Sequence, residues 1–313
     1  MKGLKDRFLF ASAPDSWGVL DYPGPSWEQP FERMLDEMVG AGYTGTELGP
    51  YGYFPTDPEI LRVHLEKRKL KLLGSFVPVK MGDLNAGVVV IERIRKVGNL
   101  LSILKAPFLV LADDQTPGRN AFSGRAYDAG CPTLDSEQWK HVGKIVADAE
   151  RVAQEFGLDL VFHPHVATFV ETAEECERFF DATSHTGIGL CLDTGHCVYS
   201  QADPVKEAQK YKSKLRFVHI KDCNQSVLVE ARRNKWNFEE AIEHKVFTII
   251  GKGDIDFPAF FRTLQRNDYS GWMVVEQDVK FDATEIPPAI SIAESLKYLR
   301  SVVRELENSG AAA

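Results

Sequence analysis

Gly187–Tyr199 reads GIGLCLDTGHCVY. Ile188, Leu190 and Leu192 form one alternating set, and Gly189, Cys191 and Asp193 the other. A short apolar run bounded by glycines predicts a buried strand that ends on a carboxylate. An unpaired carboxylate at the end of a buried strand is costly, so Asp193 needs something cationic beside it. Thr194-Gly195 reads as a turn that delivers His196. The same ending recurs along the chain. LVFHPH at 160–165 stops on His163 and His165, LRFVHIKD at 215–222 on His219, and WMVVEQD at 272–278 on Glu276. Four successive strand-like runs finish on imidazoles or carboxylates, which asks for a fold in which strand ends meet.

The rest of the chain supplies that fold. Phe8–Ser12 reads as a first strand, Tyr43–Leu48 as a second ending on Glu47, Leu70–Val77 as a third and Phe108–Ala112 as a fourth. Helical spacing fills the intervals: Pro30–Ala41 stopped by Gly42, a helix opened by Asp57-Pro58, Gly87–Leu104, and a long helix capped by Asp135. Thr172 begins a capping box before the next helix, Asp203-Pro204 opens another, and Phe257–Arg266 and Pro287–Leu306 complete the set. Eight strand-then-helix units in order, with no linker, predict a single (β/α)8 TIM barrel over residues 1–307, with 308–313 as a disordered tail. Two long aperiodic polar loops are expected, Gln115–Thr133 after strand four and Cys223–Lys245 after strand seven, the second as a lid or subunit contact. A doubly wound sheet is the weaker alternative, because no G-x-G-x-x-G follows any strand.

Composition bounds the function. A net charge of −8 over 313 residues argues against nucleic acid or an anionic membrane as partner. No apolar run approaches the roughly 20 residues of a membrane span. The apolar patch near the N-terminus, about four residues long, is too short for a secretion signal. Five cysteines without a CxxC pair fit reduced thiols. A cytoplasmic enzyme is expected, with a homo-oligomer left open.

In a barrel the C-terminal strand ends share one mouth, so Glu47, His163, Asp193, His219 and Glu276 become neighbours. Imidazole and carboxylate together suit Mn²⁺, Co²⁺, Zn²⁺, Fe²⁺ or Mg²⁺ without choosing among them.

The motifs APDSWGV (13–19), TELGPYGY (46–53), FHPHVATFVET (162–172), LCLDTGH (190–196), HIKD (219–222), GKGDIDF (251–257) and WMVVEQD (272–278) carry a resemblance. The chain resembles the xylose-isomerase-like sugar isomerase/epimerase superfamily, and within it the inosose (2-keto-myo-inositol) dehydratases. That resemblance implies one divalent ion, Mn²⁺ or Co²⁺ in the first place, on ligands from strands five to eight: here His163, Asp193, His219 and Glu276. At strand five the epimerases carry a glutamate that also moves a proton; this chain has His163, with His165 two residues on. Either histidine suits the ligand position, and His163 is preferred because it ends the apolar run. Losing that glutamate favours elimination over epimerisation.

The implied chemistry is proton abstraction next to a ketone, through an enediolate, with loss of a β-hydroxyl. The substrate expected is a small keto-polyol or keto-sugar such as 2-keto-myo-inositol. His196, Lys221 and Glu47 are the candidate acid–base groups, Lys221 having the alternative of pairing with Asp222. Trp17, Glu47, His165, His196 and Lys80 are the candidate substrate contacts. A ketose 3-epimerase, an abasic-site endonuclease and a silent sugar-binding relative are the competing readings, and the acidic charge opposes the second.

Overall fold

A computed structural model describes residues 3–20, 29–280 and 286–310; residues 311–313 of the expected tail lie outside them. A short helix α1 (Leu4–Arg7) leads into β1 (Phe8–Ser12). Helix α2 (Phe31–Ala41) buries Met34, Leu35 and Met38 on one face, and Gly42 ends it at φ 98°. Then come β2 (Gly45–Thr46), α3 (Pro58–Arg68), which the Asp57 carboxylate caps, β3 (Lys71–Leu72) and β4 (Phe76–Val79). Helix α4 (Gly87–Ile103) is followed by β5 (Phe108–Asp113), α5 (Pro117–Asn120) and α6 (Ser136–Glu155), the last opened by an Asp135/Gln138 capping box.

The second half continues with β6 (Asp159–Phe162), α7 (Ala173–Ala182) behind a Thr172/Glu175 capping box, and β7 (Gly189–Asp193). Helices α8 (Thr194–Tyr199) and α9 (Pro204–Lys210) precede β8 (Leu215–Ile220) and β9 (Asp222–Cys223). Helices α10 (Gln225–Asn234) and α11 (Phe238–Glu243), β10 (Phe247–Thr248), α12 (Phe257–Arg266), β11 (Gly271–Val275) and α13 (Pro288–Gly310) complete the chain.

Nine of these strands form one curled parallel sheet in the order β3-β2-β1-β11-β8-β7-β6-β5-β4, and β9 and β10 make a separate antiparallel pair. Its two ends belong to one stretch of chain. The third strand, expected as one run over 70–77, is divided at Leu73–Ser75: β3 pairs with β2, and β4 with β5. The hand-over is continuous, since Leu73 N–H donates to Thr46 O while Leu73 O accepts from Phe108 N–H, and Ser75 O from Val110 N–H. Nine strands therefore occupy eight barrel positions. Glycine is needed at the division, because a Cβ on Gly74 would stand 2.9 Å from the Phe108 carbonyl oxygen.

Helices pack outside through Leu35, Met38, Ile94, Phe260 and their neighbours, while a separate set fills the barrel. That inner set is Ala11, Leu73, Val110, Val161, Cys191, Phe217 and Val274, with Phe108 stacked on Phe217 at 4.5 Å. Side chains alternate along a strand, so the residue two places on emerges above this plug. From Val161, Cys191, Phe217 and Val274 that residue is His163, Asp193, His219 and Glu276.

Three expectations are corrected. The 115–133 loop contains the one-turn α5, whose Arg119 is completely buried and gives a bidentate bond to Glu175 at 2.7 and 2.9 Å. The 223–245 segment is largely helical, α10 and α11 being capped by Asn224 and Asn237. It carries its own core of Leu228, Ala231, Phe238 and Ala241 against Val166 and Tyr199. Its capping signals are local, and its polar outer face masked the inward stripe. The Thr194-Gly195 turn is the first turn of α8, with the Asp193 carboxylate as N-cap to His196 N–H at 2.8 Å. At the end of the chain α13 runs to Gly310, into the expected tail. Among the described residues no helix is long and apolar enough to cross a membrane.

Candidate active site

The strand ends converge as their period requires. His163 Nε2 lies 3.6 Å from Asp193 Oδ2, His219 Nε2 3.2 Å from Glu47 Oε1, and His219 Nδ1 3.1 Å from Glu276 Oε1. The rings of His163 and His219 are 5.0 Å apart, and all five residues are buried. Three donor sets result, His163–Asp193–His196, Glu47–His219–Glu276 and His163–Cys191–His219, the last sharing one histidine with each of the others, and in each the ligand atoms lie within 4.8 Å of one another. His163 Nδ1, Asp193 Oδ2 and His219 Nδ1 are buried without a hydrogen bond among the described residues. Buried polar atoms ordinarily find partners. Three left over in one nest of imidazoles and carboxylates fit a divalent ion, and the mixed N/O donors suit the transition metals.

Lys221 stands beside this nest. Its Nζ donates to both Asp278 oxygens at 3.0 Å and lies 3.4 Å from Glu276, 3.7 Å from Asp193 and 3.3 Å from His196 Nε2. Burial alone would discharge the ammonium, but Asp278, Asp193 and Glu276 outweigh it and hold its pKa well above that of an ordinary lysine. Burial, then the neighbouring His165 and Lys221, push His196 far below the usual imidazole range. His196 is thus a neutral acceptor facing a charged donor. Burial, then His163 and Lys221, likewise push His165 down to about 3.

These groups line a cavity of about 220 Å³ at the barrel mouth. Its other walls are apolar, from Phe76, Pro78, Phe238 and Ile242, with Asp114, Gln115 and Glu239 among its polar residues. Glu47, His163, His165, His196, His219, Lys221 and Glu276 all line it. His163 is in the nest with Asp193, whereas the His165 ring lies 3.9 Å from that of His196, tilted by 39°, and meets Phe238 edge-on.

Two expected contacts are not brought here. Trp17 is buried in the main core, its indole N–H donating to Glu37 at 2.7 Å, so Asp15 and Val19 of the same loop face the cavity instead. Lys80 is exposed and outside the cavity lining, because β4 ends at Val79 and Lys80 begins a turn in which its carbonyl accepts Asp83 N–H. Nor does Lys221 pair with Asp222, whose carboxylate accepts the backbone N–H groups of Cys223, Gly251 and Gly253. Asp15 and Asp278 were not anticipated. Asp278 was within reach of the period-two rule, being two residues beyond Glu276; Asp15 sits on a short 3₁₀ turn, where no period applies.

A parallel barrel whose mouth gathers imidazoles, carboxylates and one ammonium around a small cavity is an enzyme's arrangement. The chain belongs to the xylose isomerase-like TIM barrel family, whose profile matches residues 35–302. It is 30% identical over 303 residues to an inosose dehydratase of Clostridium perfringens, covering 95% of this chain and 96% of that one. It is 34% identical over 266 residues to the rhizopine catabolism protein MocC of Rhizobium meliloti, covering 85% and 80%. Among solved structures it is similar to the IolI protein with a bound zinc atom, at a TM-score of 0.69 and 15% identity over 95% of this chain and 98% of that one.

Proposed function

We propose that this enzyme is a divalent-metal-dependent dehydratase of a keto-polyol such as 2-keto-myo-inositol. The observation that carries the reading is the Lys221–His196 pair, a charged donor 3.3 Å from a neutral acceptor on the flank of the donor nest. Kinship with inosose dehydratases over nearly the whole chain supports the substrate class.

His163, Asp193, His219 and Glu276 would hold the ion, with Glu47 bonded behind His219. When bound, it supplies Lewis-acid stabilisation of the negative charge that develops on the substrate carbonyl oxygen. Mn²⁺ or Co²⁺ is proposed, and the zinc atom bound by the structurally similar IolI protein supports a divalent ion in this fold. His196 takes the proton from the carbon next to the ketone. Lys221 gives a proton to the β-hydroxyl, which leaves as water. The proton on His196 then crosses to Lys221, so both groups are restored and the balance is one water lost. Asp278 orients the ammonium, and the apolar roof of Phe238 and Ile242 keeps bulk water from the reacting carbons. The reduced cysteines fit a cytoplasmic setting.

The test is turnover by protein reconstituted with Mn²⁺ or Co²⁺, offered 2-keto-myo-inositol and 3-keto-glycosides. A new ultraviolet-absorbing unsaturated ketone or dione is expected from the former. Interconversion of stereoisomers without water loss would replace the dehydratase reading with an epimerase.

A further inference from the structure

The two loops over the mouth are fastened to each other across the cavity. Asn120, the last residue of α5, donates its Nδ2–H to Glu239 Oε2 at 2.7 Å and accepts Phe238 N–H on Oδ1 at 2.9 Å. Its neighbour Arg119 is locked onto Glu175, so Asn120 is a fixed post rather than a mobile side chain. Glu239 is half-buried at the cavity wall. It is not the helix cap, a role taken by Asn237 with Glu240. No cation pairs with it among the described residues, and its Oε1 makes no hydrogen bond there. A carboxylate held in place, partly desolvated and with one oxygen open to a cavity has a use only if a donor arrives to meet it.

We propose that Glu239 is a substrate-positioning residue that accepts a hydroxyl from the side of the polyol away from the reacting carbons, and that Asn120 sets its position. The inference rests on the keto-polyol reading and adds a selectivity to it. A neutral polyol supplies the O–H donor, whereas a phosphorylated sugar would bring an anion against Glu239 and Asp114. Phe238 rides on the same post, so the apolar wall over His165 and His196 and the polar grip are placed by one side chain.

The test is calorimetric titration of metal-loaded protein with myo-inositol, which has the hydroxyls and no ketone. Glu239→Ala should weaken binding roughly 10- to 100-fold, the usual worth of a hydrogen bond to a charged group, and Glu239→Gln should fall between it and the wild type. Asn120→Ala should weaken binding in the same direction, and the double variant should be less than additive because both act on one contact. Metal content should stay at the wild-type level in all of them. Equal affinity in wild type and Glu239→Ala would overturn the inference, as would a wild type that does not bind the cyclitol at millimolar concentration. Turnover of 2-keto-myo-inositol is scored separately. A wild type that binds the cyclitol through Glu239 but eliminates no water removes the dehydratase reading and leaves this contact standing.

Discussion

The Nζ of Lys221 and the Nε2 of His196 are 3.3 Å apart; burial keeps His196 neutral, while Asp278, Asp193 and Glu276 keep Lys221 charged against the same burial. Two groups that differ this way within one hydrogen bond are a donor and an acceptor ready for a two-proton reaction. His196→Asn should keep the fold and the metal and cut kcat by roughly 10²–10⁴. Lys221→Met should also lose turnover, but it should still exchange the substrate α-proton with solvent deuterium, since that needs only the base. Exchange that survives in His196→Asn would pass the base to Glu47.

The donor nest should depend on its strand-end members unequally. Asp193→Ala and Glu276→Ala should lose the metal, read by elemental analysis, with nearly all activity. His163→Ala should weaken metal binding, because its Nε2 faces Asp193. His165→Ala should retain the metal and lower kcat or raise KM, because its ring lies on His196. The opposite pattern for the two histidines would place the ligand two residues later.

Arg119 should be one of the costliest positions outside the mouth. Arg119→Met leaves Glu171 and Glu175 without their cation in a buried setting, and breaking such a pair costs about 3–5 kcal/mol. Denaturant unfolding should show that loss, and adding Glu175→Gln should recover part of it.

Asp113 should give the stability a pH dependence of its own. Burial raises its carboxyl to about 7, only partly offset by the N–H groups of Phe169 and Met81. The folded state therefore holds this proton more tightly than the unfolded chain, whose carboxyl titrates near 4. Its contribution is complete below about pH 4 and is lost as pH rises through about 7. Asp113→Asn cannot ionise, so its stability relative to wild type should improve between pH 4 and 8, on the order of 4 kcal/mol. A constant difference across that range would contradict the raised pKa.

Much of this was legible in the chain because one rule governs both barrel and site. Period-two alternation decides which residues plug the barrel, and continuing it by one step names His163, Asp193, His219 and Glu276. Where the backbone leaves that period the reading failed. Trp17 closes a 3₁₀ turn that swings its indole toward Glu37, and Lys80 lies past the end of β4, in the turn to Asp83. Arg119 could not be foreseen as buried, because its partners Glu171 and Glu175 lie more than fifty residues away. The helices over the mouth hid for a related reason: their inward faces answer to Val166 and Tyr199 rather than to the barrel.

The divided third strand leaves the barrel with a seam. Strand β2 shares a single register pair with β1, Ser12 with Thr46, and two with β3, flanked by bonds from Thr44 N–H to Phe10 O, Glu47 N–H to Ser12 O and Leu48 N–H to Gly74 O. Most other strand pairs share three to five such partners. Ladders that short open at lower free energy than the rest of the sheet, so local breathing will concentrate at this stave. Glu47 stands at its end, against His219. The wall carrying that carboxylate is therefore the one able to part without unfolding the molecule, and each opening there would uncouple Glu47 from the imidazole it braces.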